Sequence, residues 1–153
     1  MFDQTVNELS KYAMADHKGN VEHISLGELV VWPKKVFKKN QSIDDAARIL
    51  SEESSTGFSV IGNKGELIGY LSEKDCLKNI FEEELNQSPG GTVGDYMTQE
   101  VVSFDYNTPI HTVLAFFVTK SYHTYPVTKD GILVGEVRRR DLLKAFVEKR
   151  NLL

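Results

Sequence analysis

Two short stretches bring together side chains able to hold a small anionic ligand. In GYLSEKDCL, Gly69 to Leu77, the hydroxyl of Ser72 stands three residues before the carboxylate of Asp75, where a strand pattern gives way to a helical one. Ser72 is an N-cap there, and Asp75 at the third helical position suits the helix dipole. The same geometry can do ligand chemistry. Free N–H groups and a hydroxyl at a helix start hold a phosphate, and a nearby carboxylate accepts two hydrogen bonds from ribose hydroxyls. The two readings are compatible.

The second stretch, GEVRRRDLL, Gly135 to Leu143, keeps a carboxylate at Asp141 but places Arg138 where the hydroxyl stood. Arginine is a poor N-cap, and losing a cap costs about 1 kcal/mol. Arg138, Arg139 and Arg140 point in three directions from a helix start, so they cannot all serve one ligand. One of them is expected to pair with Asp141 or a helix carboxylate while the others are solvated. The alternative is that Arg138 or Arg140 meets the phosphates of a longer polyphosphate.

These stretches are equivalent because the chain is written twice. SLGELVVWPKKVF, from Ser25, lies over TVGDYMTQEVVSF, from Thr92, at an offset of 67 residues. At that offset Gly27 meets Gly94, Glu28 meets Asp95, Val31 meets Thr98 and Phe37 meets Phe104. One residue is lost in a later turn, so Asp75 and Asp141 are 66 apart. Each copy opens with a capping-box spacing, Ser25 to Glu28 and Thr92 to Asp95. A short β run follows, around Val36 to Lys38 and Val101 to Phe104. Next comes an amphipathic helix, with Ile43, Ala46, Ala47 and Leu50 in one copy and Ile110, Val113, Leu114 and Phe117 in the other. FSVI and ELIGYL flank GNKG, and YPVT and ILVGEV flank KDG, so each copy continues as a hairpin. EKDCLKNIFEEEL and RRDLLKAFVEKR close the copies as helices.

A unit of about 60 residues buries too little surface to be comfortable alone. Two copies packed sheet to sheet would share a core and create two equivalent clefts, where small ligands usually sit. The expected fold is therefore α/β (α+β): two β-α-β-β-α repeats with pseudo-twofold symmetry plus an N-terminal helix. The expected boundaries are an N-terminal helical extension over 1–24, a first repeat over 25–84, a linker over 85–91 and a second repeat over 92–153. Val6, Leu9, Tyr12 and Ala13 line one face of the extension, which suits a homodimer contact.

Composition narrows the function classes. The 153 residues carry a formal net charge of −4, which argues against a general affinity for nucleic acid. Cys76 is the only cysteine, so no intrachain disulfide forms, as expected in the cytoplasm. Set among Leu77, Ile80 and Phe81, it reads as a buried thiol rather than a nucleophile. No 18-residue apolar run and no basic-then-apolar leader pattern with a small-residue cleavage site is seen, so neither a membrane span nor a secretory signal is expected. His17, His23, His111 and His123 lack zinc-type spacing, so no metal is expected. Lys34, Lys35, Lys38 and Lys39 read as protection for a strand edge, with a phosphate role for Lys35 or Lys38 as the alternative. No P-loop, nucleophile elbow or dinucleotide fingerprint appears, and no nucleophile, base and oxyanion set can be assembled.

The duplicated order, carried by VGDYMTQEVVSF, YPVTKDGILVGEV and GELIGYLSEKDCL, resembles a tandem pair of cystathionine-beta-synthase (CBS) domains, a Bateman module, from Ser25 to about Arg150. The resemblance implies a non-catalytic regulatory module, without a required cofactor, that senses an adenosyl ligand in an inter-domain cleft. AMP, ADP, ATP and S-adenosylmethionine are the candidates. It also implies a homodimer shaped as a flat disc and signalling to an effector protein. Carried over by position, it assigns Ser72 to phosphate or ribose and Asp75 to the ribose hydroxyls. Gly57, Phe58, Ser59 and Val36 would flank the base by backbone and apolar contacts. The matching set in copy two is Thr98, Thr124, Tyr125, Pro126, Arg138 and Asp141. Ser59 departs from the family's proline, and Arg138 from its serine or threonine. A ligand-free dimerisation or scaffolding module is the other reading, with Phe58 and Tyr125 filling the cavities themselves.

Overall fold

The computed structural model of the chain describes residues 24–87 and 90–150. The amphipathic face expected at Val6 to Ala13 lies outside them. The elements run α1 (Leu26–Leu29), α2 (Ile43–Glu53), β1 (Gly57–Ile61), β2 (Leu67–Ser72) and α3 (Glu73–Asn86). The order then repeats as α4 (Val93–Tyr96), β3 (Phe104–Asp105), α5 (Ile110–Thr119), β4 (Thr124–Lys129), β5 (Ile132–Arg138) and α6 (Arg139–Lys149). No helix among the described residues is long and apolar enough to cross a membrane.

The chain forms two compact units, and their boundaries do not follow the repeats. One unit is Pro33–Val102 with Asp130–Leu133; the other takes the described residues up to Trp32, Ser103–Lys129 and the described residues from Val134 onward.

In the first of these units, β1 and β2 form an antiparallel hairpin in which Gly57 faces Ser72, Phe58 faces Leu71 and Ser59 faces Tyr70. The sheet is extended on both sides by single residues. Phe37 bridges Val60 in parallel, with its N–H donating to the Ser59 carbonyl at 2.9 Å, and Thr98 bridges Tyr70 antiparallel. Alternation sends Phe58, Val60 and Leu71 to one face, where they pack with Phe37, Ile43, Ala46, Leu50, Cys76 and Val93. The helix α2 presents Ile43, Ala46 and Leu50 at helical spacing, and the Ser42 hydroxyl caps it by accepting from the Asp45 N–H at 3.4 Å. Lys38 is tied back to the hairpin turn, its Nζ donating to the Gly62 carbonyl at 3.0 Å.

The other unit repeats the plan. Its sheet runs β3-β4-β5, with Phe104 facing Val127 in parallel, and Val31 bridges Glu136 on the far side. Tyr125 fills its core, edge-on to Phe104 at 4.9 Å and Phe117 at 4.8 Å between ring centroids. Leu26 of α1 is buried in the same core. The opening segment of each repeat, α1 with Val31 or α4 with Thr98, thus completes the sheet and core built around the other repeat's hairpin. Close approach demands glycine at the second crossing, where a Cβ on Gly135 would lie 2.6 Å from the Val31 carbonyl oxygen; at the first, a Cβ on Gly69 would lie 2.5 Å from the flexible end of Met97 and 3.1 Å from the Thr98 carbonyl oxygen.

Two local expectations change. The capping box at Ser25 does not form, because that side chain makes no cap bond, whereas the Thr92 N–H donates to the Asp95 carboxylate at 2.9 Å. Cys76 is buried, but Leu77, Ile80 and Phe81 beside it are exposed, because the buried direction of α3 runs between Cys76 and Asn79, with Ile80, Leu77 and Phe81 falling progressively further round the helix from it. Burial, and then the charges of Asp75 and Glu73, push the Cys76 thiol up to about 11. It is therefore expected to resist a disulfide reagent in the native protein at pH 8 and to react fully in denaturant. Stoichiometric labelling of native protein within minutes would show the thiol is accessible after all.

Candidate ligand-binding site

The hairpin register gathers a polar group on the face of β1-β2 opposite the helices. Gly57, Ser59, Tyr70 and Ser72 share that face, because cross-strand partners point the same way. Asp75 joins them through the start of α3. Its Oδ2 accepts from the Ser72 N–H at 2.8 Å and from the Ser72 hydroxyl at 3.0 Å, while its own N–H donates to Ser72 Oγ at 3.2 Å. The capping box orients the carboxylate and leaves Oδ1 without a partner among the described residues. Ser59 is 1% exposed, and its Oγ has no hydrogen-bond partner among the described residues. A buried hydroxyl left unpaired costs about 1–3 kcal/mol, which an incoming polar group would relieve.

The other expected residues divide. Thr98 is exposed and exchanges backbone bonds with Tyr70, its N–H donating at 2.9 Å and its carbonyl accepting at 3.0 Å. It therefore stands beside the copy-one group rather than with Thr124 and Pro126. Val36 is half-buried, adjacent to the residue that pairs with β1. Phe58 and Tyr125 turn into the cores, which leaves only their backbones near any ligand. Tyr70 was not expected at the site. Its ring lies against Gly57, where an added Cβ would be 2.5 Å from Cε1. Its position two residues before Ser72 on a strand was the available signal.

Copy two repeats the frame with different chemistry. The Arg139 N–H donates to the His123 carbonyl at 2.9 Å, as the Glu73 N–H does to Thr56 at 3.0 Å. Arg138, however, makes no side-chain cap, and its Nε donates to Asp141 Oδ2 at 2.6 Å. The carboxylate expected to bind ribose is held by its own neighbour. All three arginines nonetheless line one cavity of about 580 Å³, with Thr124, His123 and apolar residues of α5 and α6. That differs from the expectation that they diverge.

Glu136, two residues before Arg138 on β5, is half-buried. Burial raises its carboxyl above the usual range, Arg138 partly offsets this, and Asp141 adds to it. The folded state thus holds the proton more tightly than the unfolded chain. Its contribution is fully present below about 4.5, the ordinary value, and is lost as pH rises through the higher folded value. Glu136→Gln is expected to raise Tm by a few degrees at pH 7 and to lose that advantage near pH 4. Equal Tm values at pH 7 would contradict it.

Two hairpin units on one plan, one with an oriented carboxylate and an unpaired buried hydroxyl near a helix start among the described residues, make up a duplicated α+β architecture. The family model of the CBS domain matches residues 26–82 and 93–148, and the chain belongs to that family as a tandem pair. It is similar to an uncharacterized 17.7 kDa protein of Acidianus ambivalens, 28% identical over 114 residues, which are 74% of this chain and 67% of that protein. CBSX1, a chloroplastic CBS domain-containing protein of Arabidopsis thaliana, is 25% identical over 139 residues; these cover 74% of this chain and 59% of CBSX1. The chain thus spans about three fifths of the length of that relative. The solved complex of CBSX2 from Arabidopsis thaliana with AMP is 26% identical, with a TM-score of 0.70, covering 82% of this chain and 98% of that one. The CBS domain pair of protein MJ0100, solved with 5′-methylthioadenosine and S-adenosyl-L-methionine, shares the fold at 22% identity and a TM-score of 0.67, over 82% of this chain and 98% of that one.

Proposed function

We propose that the chain is a non-catalytic regulatory module that binds an adenosyl ligand on the copy-one hairpin face and passes the bound state to an effector protein. The observation that carries this reading is the convergence there of the Asp75 carboxylate, the Ser72 hydroxyl at the start of α3 and the Ser59 hydroxyl, with Asp75 Oδ1 and Ser59 Oγ both unpaired among the described residues. Asp75 takes the ribose hydroxyls, the helix start takes the phosphate, and the backbones of Gly57 and Phe58 flank the base. A similar protein solved with AMP supports this ligand class. The module works in the cytoplasm as a homodimer and needs no cofactor.

An AMP-sized ligand of about 23 heavy atoms at roughly 0.3 kcal/mol each gives about 7 kcal/mol, an affinity on the order of 10 μM. Calorimetry of the full chain with AMP, ADP, ATP and S-adenosylmethionine is expected to show saturable binding with one site per chain. Silence across the four ligands would sink the reading. Copy two is different: the Arg138 to Asp141 bond favours a structural role there. A second equivalent of ligand in the titration would overturn that assignment.

A further inference from the structure

The cavity of about 580 Å³ is lined by α5, α6 and the start of β4, all within one compact unit, and it shares no residue with the copy-one group. Its walls are apolar. Leu114, Phe117 and Val118 come from α5, and Leu143 and Phe146 from α6. Val118 is 71% and Leu143 66% exposed, so this apolar lining is open to solvent. Cavities of roughly 300–1,000 Å³ with apolar walls and a few convergent polar groups are the kind that hold small molecules.

The polar part of the lining carries one sign of charge. Besides Thr124 it consists of His123, Arg138, Arg139 and Arg140, with no carboxylate among the lining residues, in a chain whose net charge is −4. Arg138 is committed through Nε to Asp141. Arg139 and Arg140 are exposed; Arg139 meets His123 Nδ1 at 3.1 Å, and neither has an ion-pair partner among the described residues. No side chain caps the start of α6, so its first N–H groups add partial positive charge beside the two guanidinium groups. Copy one lacks this combination, having Ser51 at the position of Val118 and Glu73 at that of Arg139.

An apolar slot with cations fixed at one end is complementary to a molecule that has both characters. A plain hydrocarbon would leave the arginines unmatched, and a polyphosphate would leave the apolar walls uncovered. We infer that the cavity is a second ligand site, for a free fatty-acid-like anion: an unbranched acyl chain lies against Leu114, Phe117, Leu143 and Phe146, and its carboxylate is held by the guanidinium forks of Arg139 and Arg140. The site gives the chain a second input, of different chemistry from the first, and stands independently of the adenosyl reading of copy one.

Decanoate, kept below its micelle-forming concentration, is the probe for calorimetry on the full chain, with decanol and decyltrimethylammonium as its uncharged and cationic counterparts. Saturable decanoate binding is expected at one equivalent per chain, about ten-fold tighter than decanol, with the cation silent. Arg139→Gln combined with Arg140→Gln should weaken decanoate by about ten-fold and leave decanol within about two-fold, a split that damage to the fold would not produce. Leu143→Glu and Val118→Glu, exposed changes on different helices, should each weaken both ligands by about ten-fold while circular dichroism stays unchanged. Absence of saturable decanoate binding, or equal losses of decanoate and decanol in the arginine variant, overturns the site. Saturating AMP should leave decanoate affinity within about two-fold. Displacement by AMP would give the cavity to the adenosyl ligand instead, and decanoate binding that fades as protein concentration rises would give it to a second copy of the chain. A chain that binds decanoate but none of the four adenosyl ligands would sink the copy-one reading and leave this one standing.

Discussion

Asp75→Ala is expected to weaken AMP binding by roughly 100-fold, about 3 kcal/mol, the loss of two charge-assisted hydrogen bonds at about 1.5 kcal/mol each. The equivalent change in copy two, Asp141→Ala, should leave affinity within about two-fold, because that carboxylate is already bonded to Arg138 at 2.6 Å. Asp75 also orders the helix start, so its removal costs stability as well, on the order of 1 kcal/mol. Asp75→Asn separates the two roles. Its amide oxygen still accepts from the Ser72 N–H, yet it carries no charge, so most of the affinity should be lost with little change in Tm. If calorimetry found Asp141→Ala the more damaging change, the ligand would belong to copy two.

Gly135→Ala is expected to destabilise the fold by about 3 kcal/mol or more, lowering Tm by roughly 10 °C. Two effects add at this position. Its φ of 151° is one that side-chain-bearing residues rarely adopt, and the new Cβ would lie 2.5 Å from Val30 Cγ1 and 2.6 Å from the Val31 carbonyl oxygen. Gly131→Ala is the matched control. Gly131 also has positive φ, at 80°, but an added Cβ meets nothing within 4 Å, so only the backbone strain of about 1–2 kcal/mol applies. Equal Tm losses for the two variants would show that the seating of Val31 on β5 contributes nothing.

The elements themselves were legible in the sequence because each rests on a local period. Ile43, Ala46 and Leu50 repeat at helical spacing and are buried together, and the GNKG and KDG turns set both hairpins. The family resemblance followed from the same register. Partnership across the chain was not legible. An offset that aligns Val31 with Thr98 says they are equivalent, but nothing local says that Thr98 pairs with Tyr70 of copy one and Val31 with Glu136 of copy two. Thr98 was grouped with Thr124 and Pro126 for that reason. Within the site, Ser72 and Asp75 were readable from their spacing and Arg138 from its break with it. Tyr70 was missed although strand alternation from Ser72 reaches it. The exposed faces of Leu77 and Phe81 were hidden by a sequence in which Cys76, one position away, points to the core.

The exchange of opening segments bears on how such a chain folds. A lone repeat has no Val31 or Thr98 of its own positioned to close its sheet, since each hairpin is completed by the segment that opens the other repeat. A single repeat made by itself would have to borrow that segment from a second polypeptide, as a domain-swapped pair whose folding depends on concentration. Carrying both repeats on one chain replaces that dependence with a fixed effective concentration.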